Sequence, residues 1–428
     1  MTGRTTIYNA RVIDPASGLD EKGGVLIENG LIAEIGAGVT RTTAADVRID
    51  AKGKALAPGL IDLRVKTGEP GAEHKETLQT ASDAAAAGGV TTFVVMPDTD
   101  PVIDSVALVD FIKRRADGVA KVKVHPAGGL TLGLDGAKMS EIGLIHEAGA
   151  MFFTNGDKPV QDAGVLRRAM SYAASFGVLV ASRPDTPALS ANTVMNAGAF
   201  AARLGLRGAP PEAEWIALAR DLMLAETTGV RLLADCISTA RSLGAVDRAR
   251  KNGVKVACSV AAYSLFFNEL DVGDYLTYCK VQPPFRTESD RTALIEGLKS
   301  GMIDAVVSAH DPQPTEDKRL PIADAAFGAV GLETLLPCLL SIALREDIPL
   351  ATALKPVTSG PADLLGLPQG RLAKGAPADL VMFDPATPWA CDRDDLSSRS
   401  KNSPFDGRKL EGRVLRTWVN GVTVFERG

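Results

Sequence analysis

The chain has 428 residues and a formal net charge of -5, from 47 basic and 52 acidic side chains interspersed along its length. Charge so distributed gives no footprint for nucleic acid or anionic membrane, and no apolar run reaches the ~20 residues of a membrane helix. Five widely spaced cysteines, Cys236, Cys258, Cys279, Cys338 and Cys391, form no Cys-x-x-Cys pair, which argues against a disulfide framework or a zinc knuckle and suits a reducing cytoplasm.

In chain order, residues 6–13, 24–27 and 31–35 are short β-type runs between Gly, Asn and Asp turns, the punctuation of a small antiparallel sheet. Buried-type apolar runs then alternate with Ala-rich amphipathic stretches, the rhythm of parallel βα units. Candidate strands are 60–63, 91–96, 122–127, 151–153, 178–180, 231–234, 255–257 and 305–307, with helices such as 77–87, 105–116, 212–227 and 239–251 among them. Eight parallel strands predict a closed α/β barrel whose functional loops follow the strand ends. Near the far end 380–383, 412–419 and 422–425 are again strands, the last two joined by the Asn420-Gly421 hairpin signal. The expected division is a small β domain from 1–56 plus 371–428, with residues 6–13 pairing with the last hairpin, and a barrel over 57–370.

Several motifs follow one another in order: Pro58-Gly59-Leu60-Ile61-Asp62-Leu63, Glu69-Pro70-Gly71-Ala72-Glu73-His74, Gly88-Gly89-Val90-Thr91-Thr92 and Met96-Pro97-Asp98-Thr99-Asp100-Pro101. Further along come Ile237-Ser238-Thr239-Ala240, Pro283-Pro284-Phe285-Arg286, Ala378-Asp379-Leu380-Val381 and Ser400-Lys401-Asn402-Ser403-Pro404-Phe405. Together they resemble the bacterial-type dihydroorotases of the amidohydrolase superfamily, across essentially the whole chain. The resemblance implies a (β/α)8 TIM barrel of the metal-dependent hydrolase type with a small β-sandwich domain from both termini.

In that family a His-x-His pair closing the first strand ligates a metal that activates water for attack on a cyclic amide. Here the pair reads Arg64-Val65-Lys66, two cations with no lone pair to give. The family's substrate-clamping arginine falls at Gly68 and its companion asparagine at Asp98. The acidic ligand after the fourth strand falls at Asn155, and the histidines after the fifth and sixth strands fall at Ser182 and Cys236. The aspartate that binds metal and moves the proton falls at Ala309, in Ala309-His310-Asp311-Pro312-Gln313. Of the replacements at Asn155, Ser182 and Cys236 only Cys236 can ligate a metal; His310 is retained and is a candidate ligand contact.

The coordinated losses imply no bound metal, no cofactor and a non-catalytic homologue, since removing single catalytic groups already costs roughly 10² to 10⁴-fold in rate. Within the family the chain is then most like the members that associate with the catalytic chain of aspartate transcarbamoylase as structural or regulatory partners in pyrimidine biosynthesis, and a homo-oligomer, a dimer in the simplest closed symmetry, is expected. Arg64 and Lys66 would replace the charge of the metals and neutralise Asp185 and Asp235. Two other functions stay open: an active dihydroorotase or related cyclic amidohydrolase with an unusual site, and a small-anion sensor using Arg64, Lys66 and His310.

Overall fold

The computed structural model describes residues 3–428; the first two residues of the amino-terminal segment lie outside the described residues. Eight parallel strands form the barrel. They are Leu60–Val65, Val90–Val95, Lys123–Pro126 continued by Gly128–Gly129, Phe153–Thr154, Leu179–Ser182, Arg231–Ala234, Val256–Ala261 and Ala305–Val307. Most of their residues are buried on both faces, which is why they read in the sequence as unbroken apolar runs. In the third strand Ala127 donates its N–H to Val95 and Gly128 donates to Phe152, so this short strand still bonds to both neighbours around Pro126, which has no N–H to give. Between the first and eighth strands, Val65 bridges His310 in parallel and the Lys66 N–H donates to the His310 carbonyl at 2.9 Å.

The helices start and stop where local chemistry dictates. Leu78–Ala87 begins at Thr77, whose hydroxyl accepts the Thr80 N–H at 3.1 Å, and its alanines lie buried against the barrel. It ends at Gly88, where a Cβ would meet the Leu332 carbonyl at 2.2 Å. Ala240–Lys251 is capped by Thr239 and carries Arg248, Arg250 and Lys251 in its last turn, where cations complement the helix dipole.

Strands from both chain ends share one eight-stranded sheet. Its order is Val422–Glu426, Lys409–Val419, Leu380–Ala390, Ala55–Pro58, Thr5–Asp14, Leu19–Glu28 and Leu31–Gly36, with Val47–Asp50 also on Thr5–Asp14. The expected direct pairing of residues 6–13 with the last hairpin is corrected. Ala55–Pro58, buried at all four positions, runs parallel to the amino-terminal strand and antiparallel to Leu380–Ala390, which carries the hairpin. A second apolar cluster including Ile7, Val12, Leu56, Leu380 and the fully buried Trp418 packs on this sheet. Among the described residues no helix is long and apolar enough to cross a membrane.

Candidate functional site

Side chains alternate faces along a strand, so Asp62, Arg64 and Lys66 leave the first barrel strand on one side, toward its carboxy-terminal mouth. Asp62 lies deepest. It accepts the Arg64 N–H at 3.1 Å and the Ser308 N–H at 3.2 Å, and burial pushes its carboxyl up to about 6.

Above it stands a cluster of opposite charges. Arg64, with its side chain 5% exposed, pairs with Asp235 through Nη1 and with Asp157 through Nη2 at 2.5 Å. Lys66 pairs with Asp157, with Asp98 at 2.9 Å and with Asp311 at 3.1 Å. Arg183 reaches Asp157 with Nε at 3.1 Å and donates from Nη2 to the Asp157 carbonyl at 2.9 Å. Three cations thus meet four carboxylates. Burial works against each charge, but partners this near outweigh it. Arg64 and Lys66 are held well above their ordinary pKa values, Arg64 chiefly by Asp235 and Lys66 chiefly by Asp157, while Lys66, Arg64 and Arg183 pull Asp157 far below the carboxylate range. Asp311 goes the other way: burial, with Asp157 and Asp98 close by, raises it although Lys66 opposes.

The structure distributes the sequence-predicted positions unevenly. Arg64, Lys66, Asp98 and Ala309 meet at the mouth, where Arg64, Lys66, Asp157, Tyr263, Ala309 and Asp311 line a cavity of about 20 Å³. The main chain at Ala309 turns with φ at 50°. Asn155 is occupied by its own loop and the one after the third strand, accepting from Thr131 N–H and hydroxyl at 3.1 and 2.9 Å and donating to the Lys158 carbonyl at 3.0 Å. The Ser182 hydroxyl instead donates to Asp221 at 2.7 Å, on the helix Glu212–Thr228. Cys236 is buried, its thiol pushed well up by burial and by Asp235, which removes the thiolate a nucleophile needs. Gly68 sits at φ 69°, and a Cβ there would meet the Ala72 carbonyl at 2.5 Å, so an arginine cannot take its place without moving the loop.

His310 turns its imidazole away from the charge cluster. Its Nδ1 accepts the Gly331 N–H at 3.1 Å and its Nε2 lies 3.5 Å from Glu76, which also holds Ser398 and the Arg399 N–H. The expected partner Asp185 is corrected in part: it lies 3.8 Å from Arg183, while Arg64 takes Asp157. Sequence reasoning missed Asp157, Arg183 and Asp311. A local signal existed in each case, since each stands one or two residues from a family position that changed.

These residues do not fit a catalytic zinc ion. Arg64 and Lys66 place two cations where imidazoles would have to donate, and the nearby carboxylates are already ion-paired to them. Among the described residues no group of three or more His, Cys, Asp or Glu side chains is arranged to hold a metal. What the mouth offers chemically is fixed positive charge beside a carboxyl of raised pKa.

Residues 53–242 match the family described as Dihydro-orotase-like, and residues 305–425 match the Amidohydrolase family. A dihydroorotase of Wolbachia sp. subsp. Drosophila simulans (strain wRi) is 40% identical over 98% of this chain and 95% of its own. A dihydroorotase of Anaplasma phagocytophilum (strain HZ) is 41% identical over 97% of this chain and 94% of its own. Among solved structures, the L-hydantoinase (dihydropyrimidinase) from Arthrobacter aurescens superposes with a TM-score of 0.89 at 27% identity, covering 99% of this chain and 96% of that one. These relatives overturn the expectation of a non-enzyme. Proteins so similar over nearly the full chain are named as dihydroorotases, and the loss of one donor set established only that a metal does not fit, not that chemistry is absent. The chain belongs to the dihydroorotase family of the amidohydrolase superfamily.

Proposed function

We propose that the chain works in pyrimidine biosynthesis as a cyclic amide hydrolase of the dihydroorotase type, interconverting dihydroorotate and carbamoyl aspartate. The observation that supports this is the 40% identity, over 98% of the chain, with a relative named dihydroorotase. In hydrolysis water adds to the ring carbonyl, the C–N bond breaks and a proton goes to the departing nitrogen. Asp311, raised by burial and 3.1 Å from Lys66, is the group suited to take the proton from water and return it. Lys66 and Arg183 supply the positive charge for the oxyanion. A ring can enter only if the segments bearing Gln282 and Phe327 move off the cavity of about 20 Å³ that they help to line. The purified chain should turn over carbamoyl aspartate or dihydroorotate above the buffer background, and Asp311→Asn should lower that rate by roughly 10² to 10⁴-fold. No turnover in either direction would refute the activity.

A second reading draws on the closed mouth itself. Each of its three cations is already ion-paired, and the free space beside them is of water size, which supports a reading in which the outer surface carries the function. In this reading the chain, as a homo-oligomer, associates with the catalytic chain of aspartate transcarbamoylase. Mixing the two proteins should produce a larger species by light scattering and raise the melting temperature of the transcarbamoylase. Separate elution at micromolar concentrations, with neither protein changing the other, removes this reading.

A further inference from the structure

Away from the barrel mouth, a cavity of about 220 Å³ opens where the helices Leu78–Ala87 and Leu335–Arg345 meet the strands Leu380–Ala390 and Lys409–Val419. Arg413 and Arg427 both line it. Among the described residues neither guanidinium has a carboxylate partner; Arg427 gives its Nε–H to the Val414 carbonyl at 2.8 Å. Arg413 lies over the ring of Trp389, 4.1 Å from its centroid, and the indole is itself fixed by donating to the Gly412 carbonyl at 2.8 Å. Stacking uses the face of a guanidinium and leaves its in-plane N–H groups free.

The two arginines are close enough to act on each other: burial, and then the charge of Arg413, push the pKa of Arg427 down. Three acidic residues, Glu333, Asp392 and Asp395, share the lining, and Glu333 opposes the shift of Arg427, but among the described residues none forms an ion pair with either guanidinium. Burial raises Glu333 to about 7, so at neutral pH it is near half-protonated, and it accepts from the Ser397 N–H. Asp392 accepts the Asp394 N–H at 2.9 Å, as the cap of its own turn.

We propose that this cavity binds a small oxyanion, a phosphate or carboxylate group, between Arg413 and Arg427, at a site separate from the barrel mouth. An oxyanion there meets two sets of planar donors and cancels the repulsion between like charges. Trp389 reports the event, since its ring carries Arg413.

The test is calorimetric titration of the full chain at constant ionic strength with inorganic phosphate in one arm and acetate in the other, with tryptophan emission followed in parallel. Saturable binding in the range of about 1 mM is expected in at least one arm, and the stronger arm identifies the oxyanion. Arg413→Gln and Arg427→Gln should each weaken it by about tenfold or more. Both side chains lie at the surface of the sheet, so two variants guard against the failure of either to fold. Trp389→Phe should abolish the change in emission while leaving a binding heat. Absence of saturable binding in both arms, or binding unchanged in both arginine variants, overturns the site.

Discussion

Arg64→Met replaces the most buried cation of the mouth with an apolar side chain of similar reach. The loss falls unequally on its two partners. Asp157 keeps Lys66 and Arg183, whereas Asp235, its side chain 4% exposed, keeps only the Ser259 hydroxyl at 2.6 Å. Removing one partner of a buried pair strands the other charge and typically costs about 3–5 kcal/mol. With an unfolding entropy of about 2.1 cal/mol/K per residue, a chain of 428 residues loses about 1 °C per kcal/mol, so the melting temperature should fall by about 3–5 °C. Arg64→Met combined with Asp235→Asn removes both charges, and should recover at least half of that loss. Scanning calorimetry on the wild type, the two single variants and the double variant completes the cycle. An unchanged melting temperature in Arg64→Met, or a double variant that falls by the sum of the singles, would show that this pairing does not hold the mouth together.

Asp62 gives a pH signature of the opposite sign to that of Asp157. Its folded pKa of about 6 lies above the ordinary 3.8, so its share of stability is full below about pH 4 and is lost as pH climbs through 6. That share is about 3 kcal/mol, so the melting temperature of Asp62→Asn relative to wild type should rise by about 3 °C between pH 4 and pH 7; parallel curves would refute it. All five cysteines are buried and unpaired, and burial raises Cys258, Cys279 and Cys391 to about 12. A thiol reagent at pH 8 should therefore label none of them in the native protein and all of them after denaturation; rapid native labelling would show that one is accessible.

The barrel was legible because its strands are buried on both faces. Runs such as Arg231–Ala234 and Ala305–Val307 carry an apolar signal that survives without any partner in view. The terminal sheet was legible as strands but not as an order, since pairing is a long-range choice; Ala55–Pro58 lies between the two chain ends because all four of its residues are buried, not because of any turn signal. At the mouth, alignment against lost ligands pointed to Asn155 and Ser182, yet the side chains that fill the site belong to their neighbours Asp157 and Arg183. Position in a motif fixes where the main chain goes; which of two adjacent side chains turns inward depends on what waits there. Ser182 turns to Asp221, and Arg183 turns to the carboxylate of Asp157.

The same distinction explains why the loss of metal ligands does not by itself imply the loss of activity. Counting replaced ligands measures what the old donor set can no longer do, whereas reactivity depends on which charges converge, and convergence is a property of the fold. Here three cations and four carboxylates meet within ion-pair distance, Asp311 being raised chiefly by burial and Asp157 strongly lowered by its cationic neighbours. Titratable groups driven apart in this way are the usual raw material of acid–base chemistry, although tight ion pairs also arise for structural reasons alone. The two cases separate on Asp311. If it only balances Lys66, Asp311→Asn lowers the melting temperature and leaves any turnover of dihydroorotate with its pH profile intact. If it moves the proton, the pH profile loses the limb that its ionisation sets, and Asp311→Glu restores part of the rate while Asp311→Asn does not.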